Sequence, residues 1–339
     1  MKNCRNVILA DCIPEEIEDF REGLEKSTGL KWEVVSKVSN WGRTSRWMEI
    51  KRYFTYFFVP FAIFIHREKY DNIVGWQQFY SLIFCFFCRL FHVKKKFKVY
   101  AINYTYKKKE GFVGKIYYHF MKYIITSQYL DKAMVLSKNY VEICSKQFDI
   151  DKDKFAVLCF GVRDIYSNYK NIVIEDIALS IGRSNRDYDW LIKEWKEIDY
   201  PLIIISDTYK VPKELPSNIR IIDSVSGEEQ YPYIMKSNII ILPIDEPSIC
   251  SGDTVLLTSM SFKKCVIVTT PSTLAEMYVK DGENGFIVKK ESGELKKCIE
   301  KAIRNNDIAR KARDSYLNNY SRWKMGSTTG DIIVSRQYK

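Results

Sequence analysis

The stretch IIILPIDEPSICSGDTVLLTSMSFKKCVIVTTPSTLAEMYVKDGENGFIV, residues 239–288, decides how this chain is read. It opens on an apolar run, Ile239, Ile240, Ile241, Leu242, Pro243 and Ile244, whose β-branched residues suit a buried strand. A polar loop follows (Asp245, Glu246, Pro247, Ser248, Ile249, Cys250, Ser251, Gly252). Asp253 and Thr254 then lead into Val255, Leu256, Leu257, Met260 and Phe262, spaced for a mostly buried helix. A second strand over 265–270, a helix over 274–280, a turn at Asp281, Gly282, Glu283, Asn284 and Gly285, and a strand over 286–288 complete the stretch. In a parallel α/β sheet, a strand, a loop and a helix N-terminus make an anion site, because the first free N–H groups and the helix dipole point outward at the strand's carboxyl end. The expected guest is a phosphate.

Upstream, the same alternation repeats. Strands are expected over 177–181, 202–206 and 219–222, with helices ending at Trp195 and spanning 227–236, at the spacing of βα units. The first strand runs into Gly182, Arg183 and Ser184. Arg186 follows closely enough for its guanidinium to reach a phosphate at the strand tip. Val225 and Ser226 lie at another strand end, where an ordinary βα loop and a ligand contact are equally good readings.

The order of these pieces resembles the donor-nucleotide half of a GT-B glycosyltransferase, most of all family 4 and related bacterial polysaccharide glycosyltransferases. The residues that carry the resemblance are Gly182 and Arg183; Ser251, Gly252, Asp253 and Thr254; Ser259, Met260 and Ser261; Val266 to Val268; Glu276; and the turn Asp281 to Gly285. The resemblance implies an α/β fold of GT-B architecture, two Rossmann-like domains with parallel sheets facing across a cleft. It implies a hexosyltransferase (EC 2.4) whose donor diphosphate meets Gly182, Arg183, Ser184, Arg186, Ser251, Gly252, Asp253, Thr254 and Val255, with the base at Val225 and Ser226.

Two departures from the family's pattern matter. A lysine six residues after Arg183 would fall at position 189, which is Asp, so Arg186 is the candidate substitute. The family's two acidic residues, eight apart, align with Cys250 and Thr258. The second of these normally holds the ribose hydroxyls. A variant subfamily fits this pattern, and so does a non-catalytic nucleotide-sugar or polysaccharide-binding protein on a GT-B frame.

The chain's 339 residues, 46% apolar and 14% aromatic, are enough for about two domains. Its net charge of +11 is concentrated: residues 31–122 hold 18 Lys or Arg against 5 Asp or Glu, which leaves a slight negative balance elsewhere. Trp47, Tyr53, Phe54, Tyr56, Phe57, Phe58, Phe61 and Phe64 share that window with Arg43, Arg46, Lys51 and Arg52. This mixture favours an anionic membrane surface over a solvated face, and either over nucleic acid. The uncharged run 53–65 covers 13 residues and contains Pro60, short of the ~20 a bilayer span needs.

Nine cysteines lie without a disulfide framework, and residues 6–10 read as a strand and not as a cleavable leader. The expected location is therefore cytoplasmic, peripheral at the inner face of the membrane. Cys85, Cys88 and His92 fall at i, i+3 and i+7, half of a zinc pattern, but Phe84, Phe86 and Phe87 around them point to core cysteines. No metal and no cofactor beyond the nucleotide-diphosphate sugar is expected.

The amino-terminal half shows no glycine-rich turn between its first strand and helix, which assigns it the acceptor, a glycan or a lipid-linked one. Trp76, Gln77 and Gln78 at a strand tip are its candidate contacts, against the plainer reading that they end a strand and cap a helix. Lys107, Lys108 and Lys109 precede a helix expected over 115–129, in which His119 is a surface or core residue before it is a base. The domains are expected at 1–165 and 176–293, with a helical segment over 294–339 packing back on the first.

Overall fold

The computed structural model describes residues 5–38, 46–247 and 251–335. Arg43 and Cys250 lie outside these, and so do Ser248 and Ile249. The chain divides into two compact units: unit 1 is Met1–Gly161 with Arg322–Lys339, and unit 2 is Val162–Ser321.

Unit 1 holds β1 (Asn6–Ala10), α1 (Glu18–Thr28), β2 (Glu33–Ser36), α2 (Arg46–Ile65), β3 (Asn72–Gly75), α3 (Gln78–Leu90), β4 (Lys98–Ala101), α4 (Gly111–Ile125), β5 (Lys132–Val135), α5 (Lys138–Phe148) and β6 (Phe155–Val157). Its strands pair in parallel in the order β2-β1-β3-β4-β5-β6. A parallel sheet is covered on both faces, so its inner strands are largely buried and apolar, with polar residues such as Asn72, Lys98 and Lys132 confined to their starts. In β1, Val7 and Leu9 enter one core while Ile8 and Ala10 enter the other, as the two-residue period of a strand requires.

Unit 2 holds α6 (Tyr166–Tyr169), β7 (Ala178–Ile181), α7 (Tyr188–Trp195), β8 (Leu202–Ile205), β9 (Ile219–Ile222), α8 (Gln230–Lys236), β10 (Ile239–Leu242), α9 (Asp253–Ser261), β11 (Cys265–Thr270), α10 (Thr273–Tyr278), β12 (Phe286–Lys289), α11 (Glu294–Arg304) and α12 (Asn306–Ser315). Its strands are also parallel, ordered β12-β11-β10-β7-β8-β9. The order reverses between β10 and β7. Ligands of open α/β sheets bind at such a point, beyond the strands' carboxyl ends.

The carboxy-terminal helical segment is shared between the units. Leu295, Cys298, Ile299, Ala302 and Ile308 of α11 and α12 sit in the core of unit 2. Only α13 (Arg322–Ser335) belongs to unit 1, where Met325 and Ile333 join a core with Phe20 and Leu24 of α1. Glycines let α1 and α13 approach this closely, since a Cβ on Gly23 would strike the Trp323 carbonyl and one on Gly326 the Phe20 carbonyl.

Local differences from the expected elements have identifiable causes. α4 starts at Gly111, where φ is +70°, and not at Lys115; Gly114 packs on the Lys109 carbonyl, so the three loop lysines end at the helix itself. α2 continues through Pro60, its inner face held by ring contacts of Tyr56, Phe61 and Phe64 with Phe79 and Phe87 of α3. Among the described residues no helix is long and apolar enough to cross a membrane. Cys85 and Cys88 are buried in the unit 1 core, and His92 lies exposed beyond the end of α3.

Candidate functional site

A cavity of about 310 Å³ opens at the carboxyl ends of the unit 2 strands. Gly182, Arg183, Ser184 and Arg186 reach it from the β7 turn, Val225 and Ser226 from beyond β9, and Ser251, Gly252, Asp253, Thr254 and Val255 from the start of α9. Every residue proposed from sequence for the diphosphate and the base therefore lines one space. Reading the sequence alone missed Ile205, Ser206, Asp207 and Gln230, which line it too. Ser206 and Asp207 directly follow β8, at a strand's carboxyl end, where ligand contacts gather once the strand order is known.

Arg186 is the centre of this arrangement. The segment that carries it is stitched to the chain after β10. The Asp187 N–H donates to the Pro243 carbonyl (2.8 Å) and the Glu246 N–H to Asn185 Oδ1 (2.6 Å), and Asn185 adopts a left-handed φ of +56°. The guanidinium thus lies between the two glycine turns. A Cβ on Gly182 would sit 2.7 Å from its Nε, and one on Gly252 would collide with Nη2. Gly252 also needs its freedom for a φ of +98° as it caps α9.

The guanidinium donates to the carbonyls of Ile181 (3.3 Å) and Asn185 (3.1 Å) and to Ser251 Oγ (3.4 Å). Burial pulls its pKa down, opposed by Tyr188 and Asp253. Beneath it, Tyr188 donates its hydroxyl to the Gly182 carbonyl (2.8 Å), and burial pushes that phenol up to about 12.

Asp253 answers the charge of Arg186 from the first turn of α9. Burial raises its pKa, while the Thr254 N–H and Arg186 hold it down. Arg183 is exposed and bonds Asp207 through Nε at 2.8 Å. The cavity thus carries two arginines and two carboxylates, along with amides at a helix N-terminus, and can receive an anion that displaces part of this pairing.

Other residues singled out from sequence lie outside the cavity. Thr258 is buried on α9, its carbonyl accepting from Phe262 N–H. Asp189 accepts from the Tyr209 hydroxyl (2.5 Å) and does not line the cavity. The Asp281 to Gly285 turn is a brace. Buried Asn284 accepts from Lys280 N–H and donates to the Tyr278 carbonyl and Ser315 Oγ, while a Cβ on Gly285 would press on Val266.

In unit 1, Trp76, Gln77 and Gln78 sit together after β3, and their side chains meet the protein's own groups. Trp76 has Phe20 at its edge (5.2 Å) and the Arg322 guanidinium over its ring (5.4 Å). Gln77 caps α3 by accepting from Phe79 N–H and donates to the Tyr56 hydroxyl (3.1 Å), and Gln78 exchanges two bonds with Thr105. A second cavity of about 380 Å³ is lined by Lys108, Lys109, Lys115, Tyr118 and His119.

Residues 175–305 match the family described as Glycosyl transferases group 1. No curated protein matches the chain in sequence. Several solved structures share its architecture. A glycosyltransferase from Rickettsia africae ESF-5 is 16% identical, with a TM-score of 0.63 over 97% of this chain and 98% of that one. Alr3699/HepE of Anabaena, solved in complex with UDP, is 12% identical, with a TM-score of 0.62 over 98% and 100%. WaaG, a glycosyltransferase involved in lipopolysaccharide biosynthesis, is 14% identical, with a TM-score of 0.54 over 96% and 99%.

Proposed function

From the family match over residues 175–305 and an architecture shared with GT-B glycosyltransferases, we propose that this chain is a glycosyltransferase that moves a sugar from a nucleoside-diphosphate donor bound on unit 2 to a glycan or lipid-linked acceptor bound on unit 1, in surface polysaccharide synthesis. The observation that carries this reading is the convergence of the Gly182 turn, Arg186 and the α9 N-terminus on one cavity at the sheet's switch point. Arg183, Arg186 and the first amides of α9 would stabilise the charge that grows on the leaving diphosphate, an electrostatic strategy whose dipoles are in place before the bond breaks. The likeness to the HepE and WaaG structures supports a nucleotide-sugar donor and a polysaccharide context.

Unit 1 would sit on anionic lipid at the inner face of the membrane. α2 exposes Trp47 (80%), Phe54 (58%) and Phe58 (65%), and Phe112 (78%) stands out at the start of α4 next to the loop lysines. Apolar rings flanked by basic side chains are the pattern of interfacial seating. The acceptor would enter along the carboxyl edge of the unit 1 sheet, where Trp76, Gln77 and Gln78 gather.

A thermal-shift panel of nucleoside diphosphates and their sugars tests the donor reading, because a ligand of the native state raises its stability. Arg186→Ala should weaken binding and transfer by roughly ten- to a hundredfold, the worth of a charge-assisted contact. Absence of any shift together with absence of sugar transfer would sink the proposal.

A further inference from the structure

With Thr258 buried on α9 and absent from the cavity lining, a bound nucleotide's ribose needs another hydrogen-bond acceptor. The sheet order shows where it would look. Gly182 and Gly252 follow β7 and β10, so the phosphate end of the cavity lies over those two strands. Val225, Ser226 and Gln230 lie beyond β9 and form the base end. Between β7 and β9 stands β8, and neighbouring strands are ~4.8 Å apart. A nucleoside diphosphate laid from one end to the other carries its ribose across the end of β8, where the cavity is lined by Ser206 and Asp207.

Building on the donor reading above, we propose that Asp207 is the ribose-binding carboxylate, accepting hydrogen bonds from the 2′- and 3′-hydroxyls. Both of its oxygens can accept, which suits a vicinal diol. Its backbone is fixed for the task. The Ser206 N–H donates to the Ile222 carbonyl (3.0 Å) and the Thr208 hydroxyl donates to the Arg183 carbonyl (2.5 Å), tying the β8 turn to both neighbouring strands. In dinucleotide-binding sheets, an acidic residue beyond the first phosphate turn takes the ribose in the same manner.

The Arg183–Asp207 pair is then a placeholder. Both side chains are substantially exposed, 76% and 41%, so their bond is screened and easily exchanged. On donor binding the phosphate takes Arg183 and the diol takes Asp207. Because the pair is exposed, giving it up costs little, and each charged group keeps a hydrogen-bond partner in the complex.

The test is a comparison of affinities for UDP, GDP, ADP and CDP with those for their 2′,3′-dideoxy counterparts, in wild type, Asp207→Ala and Arg183→Ala. Whichever base binds, wild type should prefer the ribonucleotide by roughly tenfold or more. Asp207→Ala should lose that preference, and Arg183→Ala should weaken both members of a pair while keeping their ratio. A residue that served only to position Arg183 would leave the ratio untouched. If wild type binds diphosphates without preferring the ribo form, or Asp207→Ala keeps the preference, the assignment of Asp207 is wrong while the donor reading stands. If wild type binds none of the diphosphates, the donor reading falls and this assignment with it.

Discussion

Units 1 and 2 each rest on a sheet of six parallel strands, yet their carboxyl edges have opposite character. In unit 2 that edge is held open by glycine turns around a half-buried arginine. In unit 1 the corresponding tip after β3 is closed by its own side chains, with Gln77 capping α3 and Trp76 covered by Arg322. The contrast shows that the fold alone does not make a phosphate site. Unit 2 has a cavity that suits one because Gly182 and Gly252 carry no Cβ and so leave room for the Arg186 guanidinium between their turns. Unit 1 instead exposes aromatic side chains on α2, among them Trp47, Phe54 and Phe58.

The sharpest way to break this comparison is to remove α13 by ending the chain after Ser321. Burial of Met325 and Ile333 is worth about 3 to 6 kcal/mol together, and all of it belongs to unit 1. Unit 1 should then melt early and be cut first in limited proteolysis, while unit 2 keeps its transition. A common loss in both units would show that their stabilities are not separable.

A somewhat smaller effect separates the units by pH. Lys264, buried in unit 2 with its ammonium donating to the Met235 carbonyl, has its pKa lowered from 10.5 to about 8 by burial. Between those values the unfolded chain holds more protons than the folded one, so stability rises with pH across that window. Below pH 8 both states are charged and the fold bears the full cost, about 3 kcal/mol at ~1.4 kcal/mol per pKa unit. Denaturant titrations of wild type and Lys264→Met should therefore show wild type gaining on the variant between pH 8 and 10.5. Parallel curves would mean that the lysine is charged and well solvated in the fold.

The smallest expected effect on stability sharpens the outward-facing half of the comparison. Replacing Trp47 and Phe58 together by Ser should change unfolding by no more than ~0.5 kcal/mol, since both are exposed. Co-sedimentation with anionic vesicles should nevertheless fall several-fold, and added salt should lower what remains. Undiminished sedimentation would leave α2 without a role at the lipid surface.

Much of this was legible in the residues, and the reasons are physical. β1, α5, β9, β10 and β11 fall where periodicity and β-branched runs put them, because buried parallel strands and amphipathic helices leave strong signals. The residues named for the donor end all line the cavity, because glycine-bearing loops between a strand and a helix have few other uses. Asp207 went unseen because a carboxylate two residues past a strand looks like any turn residue until the strand order puts it between two named sites. The starting point of α4 was missed because Gly111 enters the helix from a left-handed φ, which no pattern of apolar residues announces. Nor could the division of the tail be read: α11, α12 and α13 are all helical, and what sends the last to unit 1 is a close fit of Gly23 against Gly326 and its neighbours.

That glycine seam also bears on the order in which the protein is made. Residues 162–321 are contiguous, so unit 2 can close as soon as they have left the ribosome. Unit 1, although translated first, leaves the outer side of α1 and part of the core beneath it unfinished until α13 emerges. For the whole of unit 2's synthesis, Phe20, Leu24 and their apolar neighbours wait without their lid, and such surface is what chaperones hold. The domain translated first is therefore the last to be finished, and its nascent chain is the state most exposed to aggregation.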